Sequence, residues 1–290
     1  MSDILKPIGF SNGHWEPVSR RYAPGAHTAG PVPTSEEDIM DNTGKFSNKA
    51  DVYHKYRPAY PDRFLQYLFS EVGFSSDACV ADVGAGTGIL TGALVDRVKT
   101  VYAIEPNRGM RLACMDACGD SCGFVALEGT AEDTTLPEQC VDYIVAAQAF
   151  HWFDPHRAQQ EFSRILKPDG MVVLVWNSRV PAAPVTLDWA EACHAHCPGF
   201  TGFSSQERIE AHRVLDFFRD GVCEMRRFQN NRVLDEEAFV GTALSASYAP
   251  LPSEPAHGAF TAALRQVFHT HADNGWLEVP MITHSYVGRI

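Results

Sequence analysis

Residues 80 to 92 read VADVGAGTGILTG, and several side chains in and around this stretch could do chemistry. Gly84, Gly86 and Gly88 stand at alternate positions. Glycine is crowded in this way where a backbone turns sharply or where something must approach it closely. Asp82 sits just ahead of them, after an apolar run. A second carboxylate, Glu105, ends the next apolar run, 21 residues after Gly84. In that place a carboxylate can accept both hydroxyls of a ribose. His151 lies in AFHWF, where an imidazole could act as a general base or simply pack and bond to backbone. Trp152 and Phe153 beside it could wall a pocket. Trp176, Asn177 and Arg179 follow a later apolar run. Arg179 could meet a substrate carboxylate or form a surface salt bridge. Tyr53 and Tyr60 are further candidate donors to a pocket.

The elements that must position these groups alternate. FSNKADVYHKY reads as a helix that stops at Arg57-Pro58, because a residue before proline avoids the helical region. A second helix starts at Pro61 and buries Phe64, Leu65, Leu68 and Phe69. CVADVG is a buried strand, and Ile89, Leu90, Ala93, Leu94 and Val98 share a helical face. TVYAIEP is the next strand, followed by a helix that Asn107 caps. GFVALEG and VDYIVAAQAF are the third and fourth strands. Asp154-Pro155 opens a helix burying Ala158, Phe162, Ile165 and Leu166, which ends at a KPDG turn before the strand MVVLVW. TLDWAEACHAH and SQERIEAHRVLDFF read as helices interrupting the sheet, and CEMRRFQNNRVL as a sixth strand. Two more helices precede a closing strand in WLEVPMITHSYVGRI. Strand–helix alternation implies right-handed crossovers and a parallel sheet covered on both faces. The fold class is α/β, a doubly wound sheet whose ligands lie beyond the carboxyl ends of the strands.

Two details choose among adenosine-bearing cofactors. A dinucleotide loop reads GxGxxG and rests a pyrophosphate on a helix N-terminus. Here the spacing is GxGxG, and Asp82 would repel a pyrophosphate. The same carboxylate would attract an ammonium or a sulfonium, and S-adenosylmethionine carries both without phosphate.

At these residues the chain resembles the class I S-adenosylmethionine-dependent methyltransferases, in particular the small-molecule group called methyltransferase type 11. The resemblance runs from about Phe46 to the C-terminus through YRPAYP, VADVGAGTG, VYAIEPN, GTAEDTTLP, AAQAFHWFD and RILKPDGMVVLVWN, in that order. It implies a Rossmann-like, mostly parallel seven-stranded sheet with its last strand reversed. It implies that Asp82, Gly84, Ala85, Gly86 and Thr87 form the first cofactor motif, and that Glu105 holds the ribose with Pro106 and Asn107 beside the adenine. Ala131 and Glu132 match the loop that meets the adenine ring. Many relatives carry aspartate where this chain has Thr130, which leaves Glu132 as the main side chain for the adenine amine. Gln148 matches the position under the methionine moiety. Tyr53 and Arg57 match a covering helix, with Arg57 facing the cofactor carboxylate. His151 is the candidate base; Tyr60, Trp152, Trp176, Asn177 and Arg179 are the expected substrate contacts. The implied domain spans 45–290, with a helical insertion at about 180–220 over the substrate.

Composition bounds the partners. The formal charge of -12 opposes a nucleic-acid backbone, so the expected partner is a small molecule rather than nucleic acid. No stretch reaches the roughly 20 apolar residues of a membrane span. The first residues lack the pattern of a secretory signal, and eight cysteines without one fit reduced thiols in the cytoplasm. Residues 1–44 are rich in proline and glycine and read as an irregular arm, either a lid or a swapped contact in a homodimer. Cys114, Cys118 and Cys122 recur at helical spacing but lack a zinc-knuckle pattern, and Cys193 and Cys197 in CHAHC fit packing better than a metal. HTH at 269–271 reads as a solvated helix end. Two other functions compete: a nicotinamide-dependent oxidoreductase, and a non-catalytic methyltransferase-like binding protein.

Overall fold

The computed structural model describes residues 57–203, 211–246 and 248–290. The predicted arm at 1–44, the first predicted helix with Tyr53, and the start of the helix predicted at 204–217 lie outside these residues.

Five strands come first: β1 (Cys79–Val83), β2 (Thr100–Ile104), β3 (Phe124–Leu127), β4 (Val141–Ala147) and β5 (Leu166–Arg179). They are followed by β6 (Glu224–Gln229), β7 (Arg232–Leu234), β8 (Leu277–Val279) and β9 (Met281–Gly288). Seven of them form one sheet in the order β3-β2-β1-β4-β5-β9-β6. The first five run parallel, and β9 is antiparallel to both of its neighbours. This is the expected doubly wound sheet with its last strand reversed. The chain leaves β1 for β2 on one side and later returns to β4 on the other, which makes the carboxyl end of β1 a topological switch point.

The helices are α1 (Asp62–Tyr67), α2 (Ile89–Leu94), α3 (Arg108–Cys118), α4 (Pro155–Ile165), α5 (Pro184–His196), α6 (Ala211–Phe217), α7 (Glu236–Leu244) and α8 (Ala256–His271). A single π turn, Leu68–Val72, extends α1. The central strands show why their apolar runs are continuous. In β5, Val172, Leu174 and Trp176 enter one core with Phe162 of α4 and Phe217 of α6. Val173 and Val175 enter the opposite core with Phe64 of α1 and Leu90 of α2. Side chains alternate across a strand, so a sheet covered on both faces buries both sets.

Several boundaries differ from the sequence reading. Helix α2 ends at Leu94, so Val98 is buried from a following turn rather than from the helix. KPDG is not a free turn: β5 is already paired at Leu166, and the segment bulges before Tyr143 meets Met171. The predicted sixth strand divides at Asn230-Asn231, and the closing strand divides at Pro280. Proline has no N–H to give a ladder, so β7 and β8 peel off as a separate two-stranded ribbon.

That ribbon joins α5, α7 and α8 in a third core built on Trp189, Phe239, Phe260, Leu264 and Phe268. This helical cap therefore draws on residues 183–281, not on 180–220 alone. Its sequence neighbour α6 belongs instead to the sheet-covering layer, with Phe217 against Phe150 at 4.8 Å.

Close packing of α2 on α3 depends on Gly88, whose φ is 82° and whose added Cβ would stand 2.7 Å from Cys114 Sγ. Gly88→Ala should cost about 2–4 kcal/mol, from left-handed strain plus overpacking. The melting temperature should fall by roughly 4 °C or more. Adding Cys114→Ala should return part of the loss in thermal melts, because only the steric share is relieved.

Candidate active site

The glycine loop turns from β1 into α2. All three glycines have positive φ: 72° at Gly84, 58° at Gly86 and 82° at Gly88. Gly84 also needs the space, since a Cβ there would lie 2.5 Å from Ala149 Cβ. Gly86 is different. Its nearest neighbour would be Met110 Sδ at 3.8 Å, so the loop presents an open backbone face there. The amides of Gly84 and Ala85 donate to the Ile104 carbonyl at 2.9 and 3.1 Å, which fastens the loop to β2. Thr87 is buried beneath it.

Glu105 completes the fastening. Its Oε2 accepts from the Gly86 amide and its Oε1 from the Asn107 amide, both at 2.9 Å. Asn107 in turn caps α3 by accepting from the Met110 amide, and Pro106 between them is exposed. Burial raises the Glu105 pKa, opposed by those two amides and by Arg111. Each carboxylate oxygen keeps a second lone pair, so Glu105 can still accept hydroxyls.

Asp82 is wholly buried. Its Oδ2 accepts from Thr91 Oγ1 at 2.6 Å, and its Oδ1 has no partner. Burial pushes its pKa up to about 6, Thr91 opposes that, and the nearby charge of Glu105 adds to it. No basic side chain of the described residues offsets this charge.

The next loop is held from below. Glu161 of α4 accepts from the Thr134 amide and hydroxyl at 2.8 and 2.5 Å, and Arg164 steadies it at 2.7 Å. Thr130 Oγ1 accepts from the amides of Glu132 and Asp133, a local turn that an aspartate would otherwise make. Ala131 is buried. Glu132 Oε1 accepts from the Asp154 amide at 2.9 Å, so this side chain also braces the start of α4.

At the end of β4, Gln148 sits at φ 58° without being glycine, a strained conformation of the kind that clusters at functional sites. Its Nε2 donates to the Asn177 carbonyl at 2.9 Å. His151 and Trp152 follow on a short turn with ring centroids 4.9 Å apart, and Trp152 is 55% exposed. His151 makes no hydrogen bond to the described residues. The residue is exposed to solvent, with protein packed around part of its ring. The crowding lowers its pKa to about 4, so the ring is neutral at pH 7.

Four residues expected at the substrate stand in settings that the sequence did not show. Trp176 is buried edge-on to Phe150 and Tyr286, because β5 is covered on both faces. Tyr60 is buried with its ring on Phe64 at 5.7 Å. Asn177 is a structural hub. Its Nδ2 donates to the carbonyls of Pro58 and Ala59 at 3.4 and 3.3 Å, and its Oδ1 accepts from Asn230 and Thr283 at 3.1 and 2.5 Å. Arg179 forms no salt bridge with the described residues; its guanidinium lies over the Trp189 and Phe203 rings of the cap, at 4.0 and 4.3 Å from their centroids. The hub tethers Pro58 and Ala59, next to Arg57, over the strand ends.

Sequence reasoning missed Thr91, Asn230, Thr283 and Glu161. The available signal was a polar residue on a predicted buried face, as Thr91 is beside Leu90 and Leu94.

A family of methyltransferase domains matches residues 81–174. Uncharacterized methyltransferases of Mycobacterium bovis and Mycobacterium tuberculosis are 39% identical over 246 residues, spanning 84% of this chain and 94% of theirs. The chain belongs to the class I S-adenosylmethionine-dependent methyltransferases. Its fold is shared with a provisionally named type II methyltransferase from Anaeromyxobacter dehalogenans (TM-score 0.56, 21% identity, 81% of this chain and 98% of that one). It is shared equally with the [4+2]-cyclase SpnF (TM-score 0.52, 15% identity, 91% and 100%). Fold alone thus leaves the reaction of this methyltransferase to its site.

Asp82 offers a direct check. Its folded pKa lies above the ordinary 3.8, so its charged form penalises the fold above about pH 6 and the penalty is gone below the unfolded value. Ligand-free Asp82→Asn should therefore melt no lower than the parent at pH 7.5, with a gain of roughly 2–4 °C for each kcal/mol recovered. Melts at successively lower pH should show that gap narrowing below about pH 6 and closing near pH 4, as the parent's own carboxyl takes up its proton.

Proposed function

We propose that this methyltransferase uses S-adenosylmethionine to methylate a small-molecule metabolite by in-line displacement. The carrying observation is the idle, buried Oδ1 of Asp82 beside the open backbone face of Gly86. A buried carboxylate without a cation is costly, and a ligand ammonium or sulfonium would offset it. A pyrophosphate would add to the repulsion, which disfavours a nicotinamide cofactor.

When bound, S-adenosylmethionine supplies an electrophilic methyl whose transfer leaves a neutral thioether. The chain's residues have separable tasks. Asp82 and the Gly84–Thr87 backbone would hold the cationic end, and Glu105 with Asn107 the ribose. Ala131 and Glu132 would flank the adenine, and Gln148 and Arg57 the methionine end. His151, neutral at pH 7, would accept the proton an acceptor must lose. Trp152 and Phe153 would exclude water, and position and dryness are most of what such a displacement needs. The overall charge of -12 supports a small acceptor over a nucleic acid. No helix of the described residues is long and apolar enough to cross a membrane.

Calorimetry with S-adenosylmethionine, S-adenosylhomocysteine and NADH tests the cofactor. The first two should bind, and Asp82→Ala and Glu105→Ala should each weaken them by about tenfold or more. Binding of NADH alone would overturn the reading. Once an acceptor is in hand, His151→Ala should lower kcat by about 10²-fold or more with cofactor affinity unchanged. The parent's rate should be flat above pH 6 and fall as pH drops toward 4, where the imidazole protonates. An unchanged profile in the variant would leave His151 as packing.

A further inference from the structure

Residues 58–61, Pro-Ala-Tyr-Pro, run into α1 without helix or strand. Proline has no N–H, so Pro58 and Pro61 can give nothing to a ladder. Side chains hold two of the segment's carbonyls instead. Those of Pro58 and Ala59 accept from Asn177 Nδ2 at 3.4 and 3.3 Å, and that of Ala59 accepts also from Asn230 Nδ2 at 2.9 Å. Asn230 gives its other N–H to Asn177 Oδ1 at 3.1 Å, and Thr283 Oγ1 donates to the same oxygen at 2.5 Å. A primary amide has two donor hydrogens and two acceptor lone pairs. All of those of Asn177 are taken, which leaves its side chain one orientation. Asn177 stands near the end of β5, Asn230 between β6 and β7, and Thr283 in β9. The row of β5 that gives Val173 and Val175 to the core therefore ends, on the same face, in a buried amide turned to a neighbouring segment.

Asn177 holds a further group through its backbone. Its carbonyl accepts from Gln148 Nε2 at 2.9 Å, and Gln148 has a φ of 58° that a non-glycine residue seldom adopts without support. Arg57 directly precedes Pro58, and its charge reaches Arg179 at the end of β5. In the proposed function Gln148 and Arg57 both serve the methionine end of the cofactor. They lie on separate elements, yet Asn177 sets both. Gln148 depends on its carbonyl, and Arg57 on the bonds from its amide to Pro58 and Ala59. The adenosine end has no such dependence. Glu105 is fixed by the Gly86 and Asn107 amides and Asp82 by Thr91, all from β1, β2 and the loop and helix that follow each.

We infer that Asn177, assisted by Asn230, is a positioning residue for the amino-acid end of S-adenosylmethionine. It sets how tightly that end is held and acts only through Gln148 and the segment at Arg57. This rests on the proposed cofactor and deepens that reading.

The test compares two ligands on the full chain. S-adenosylhomocysteine carries the amino-acid end, and 5′-methylthioadenosine has the same adenine, ribose and sulfur without it. Asn230→Ala removes one bond to Ala59 from a half-buried position and should weaken S-adenosylhomocysteine about three- to tenfold. Asn177→Ala should weaken it about tenfold or more. Methylthioadenosine should bind both variants as it binds the parent. Loss of folded protein removes sites for both ligands alike, so the ratio of the two affinities separates positioning from stability. Asn230→Gln, which keeps the amide on a longer stem, should recover part of that ratio. A double-mutant cycle gives a second reading from S-adenosylhomocysteine alone. Gln148→Ala should cost less in Asn177→Ala than in the parent, because the end of β5 that supports Gln148 is no longer fixed. The inference is overturned if both ligands weaken by the same factor, if neither weakens, or if the Gln148 and Asn177 losses simply add. A parent that binds neither ligand would sink the cofactor assignment and this inference with it. An unchanged ratio in variants of a parent that binds both would sink the inference alone.

Discussion

The bond from the Gly86 amide to Glu105 joins the loop after β1 to the end of β2, and the geometry of the cleft hangs on it. It fixes a loop whose glycines all occupy the left-handed region, a conformation with little support of its own. It also draws Glu105 into the protein, within electrostatic reach of the fully buried Asp82. Two carboxylates are thus assembled in a low dielectric, and among the described residues only Glu105 has a basic neighbour, Arg111. The protein carries this cost at the switch point of its sheet, where the topology already opens a crevice. Strain and uncompensated charge coincide there, and both are terms that a ligand can relieve.

A second set of polar ties keeps the other rim in place. Asn177 gathers the segment at Pro58 and Ala59, the Asn230 side chain between β6 and β7, Thr283 of β9, and Gln148. These partners are distant in sequence, and each link is satisfied on both sides. A buried amide with such partners costs little, and losing any one would strand the others. The cap, the tethered segment and the strained residue after β4 are therefore coupled through one residue, Asn177, which holds the first two by its side-chain amide and Gln148 by its backbone carbonyl. Movement of the cap would be felt at Gln148, and so at the methionine end of the proposed cofactor site.

The sheet and its loops were legible because each rests on local chemistry. Apolar runs marked the strands, Asn107 and Asp154 were visible caps, and the glycine spacing with Asp82 located the loop. The cap was not legible in the same way. Its core joins α5 to α7 and α8, residues far apart in sequence, and no local period announces such pairing. Direction was also hidden at the end of β5. A strand covered on both faces gives no polar–apolar alternation to say which residue looks into a cleft. Trp176 and Asn177 therefore read as pocket residues although one packs and the other ties. Arg179 was placed beside the substrate without its aromatic bed, because Trp189 and Phe203 reach it only through the fold.

The two ends of the cleft differ in sign, and this is what the shared fold does not dictate. At the end of β1 the buried charge is the Asp82 carboxylate; beyond β5, under the cap, it is the Arg179 guanidinium. Both charges are buried, so solvent screens them little and each acts strongly on what enters. A cationic methyl donor would be drawn to the Asp82 end and repelled from the Arg179 end. Misplacement would then cost more than poor fit alone, since like charge would meet like charge in a low dielectric. His151 stands after β4, the strand between the two ends, with its imidazole neutral. A neutral base there adds no charge to either end, and it can take up a proton as transfer proceeds without having favoured one ligand over the other beforehand.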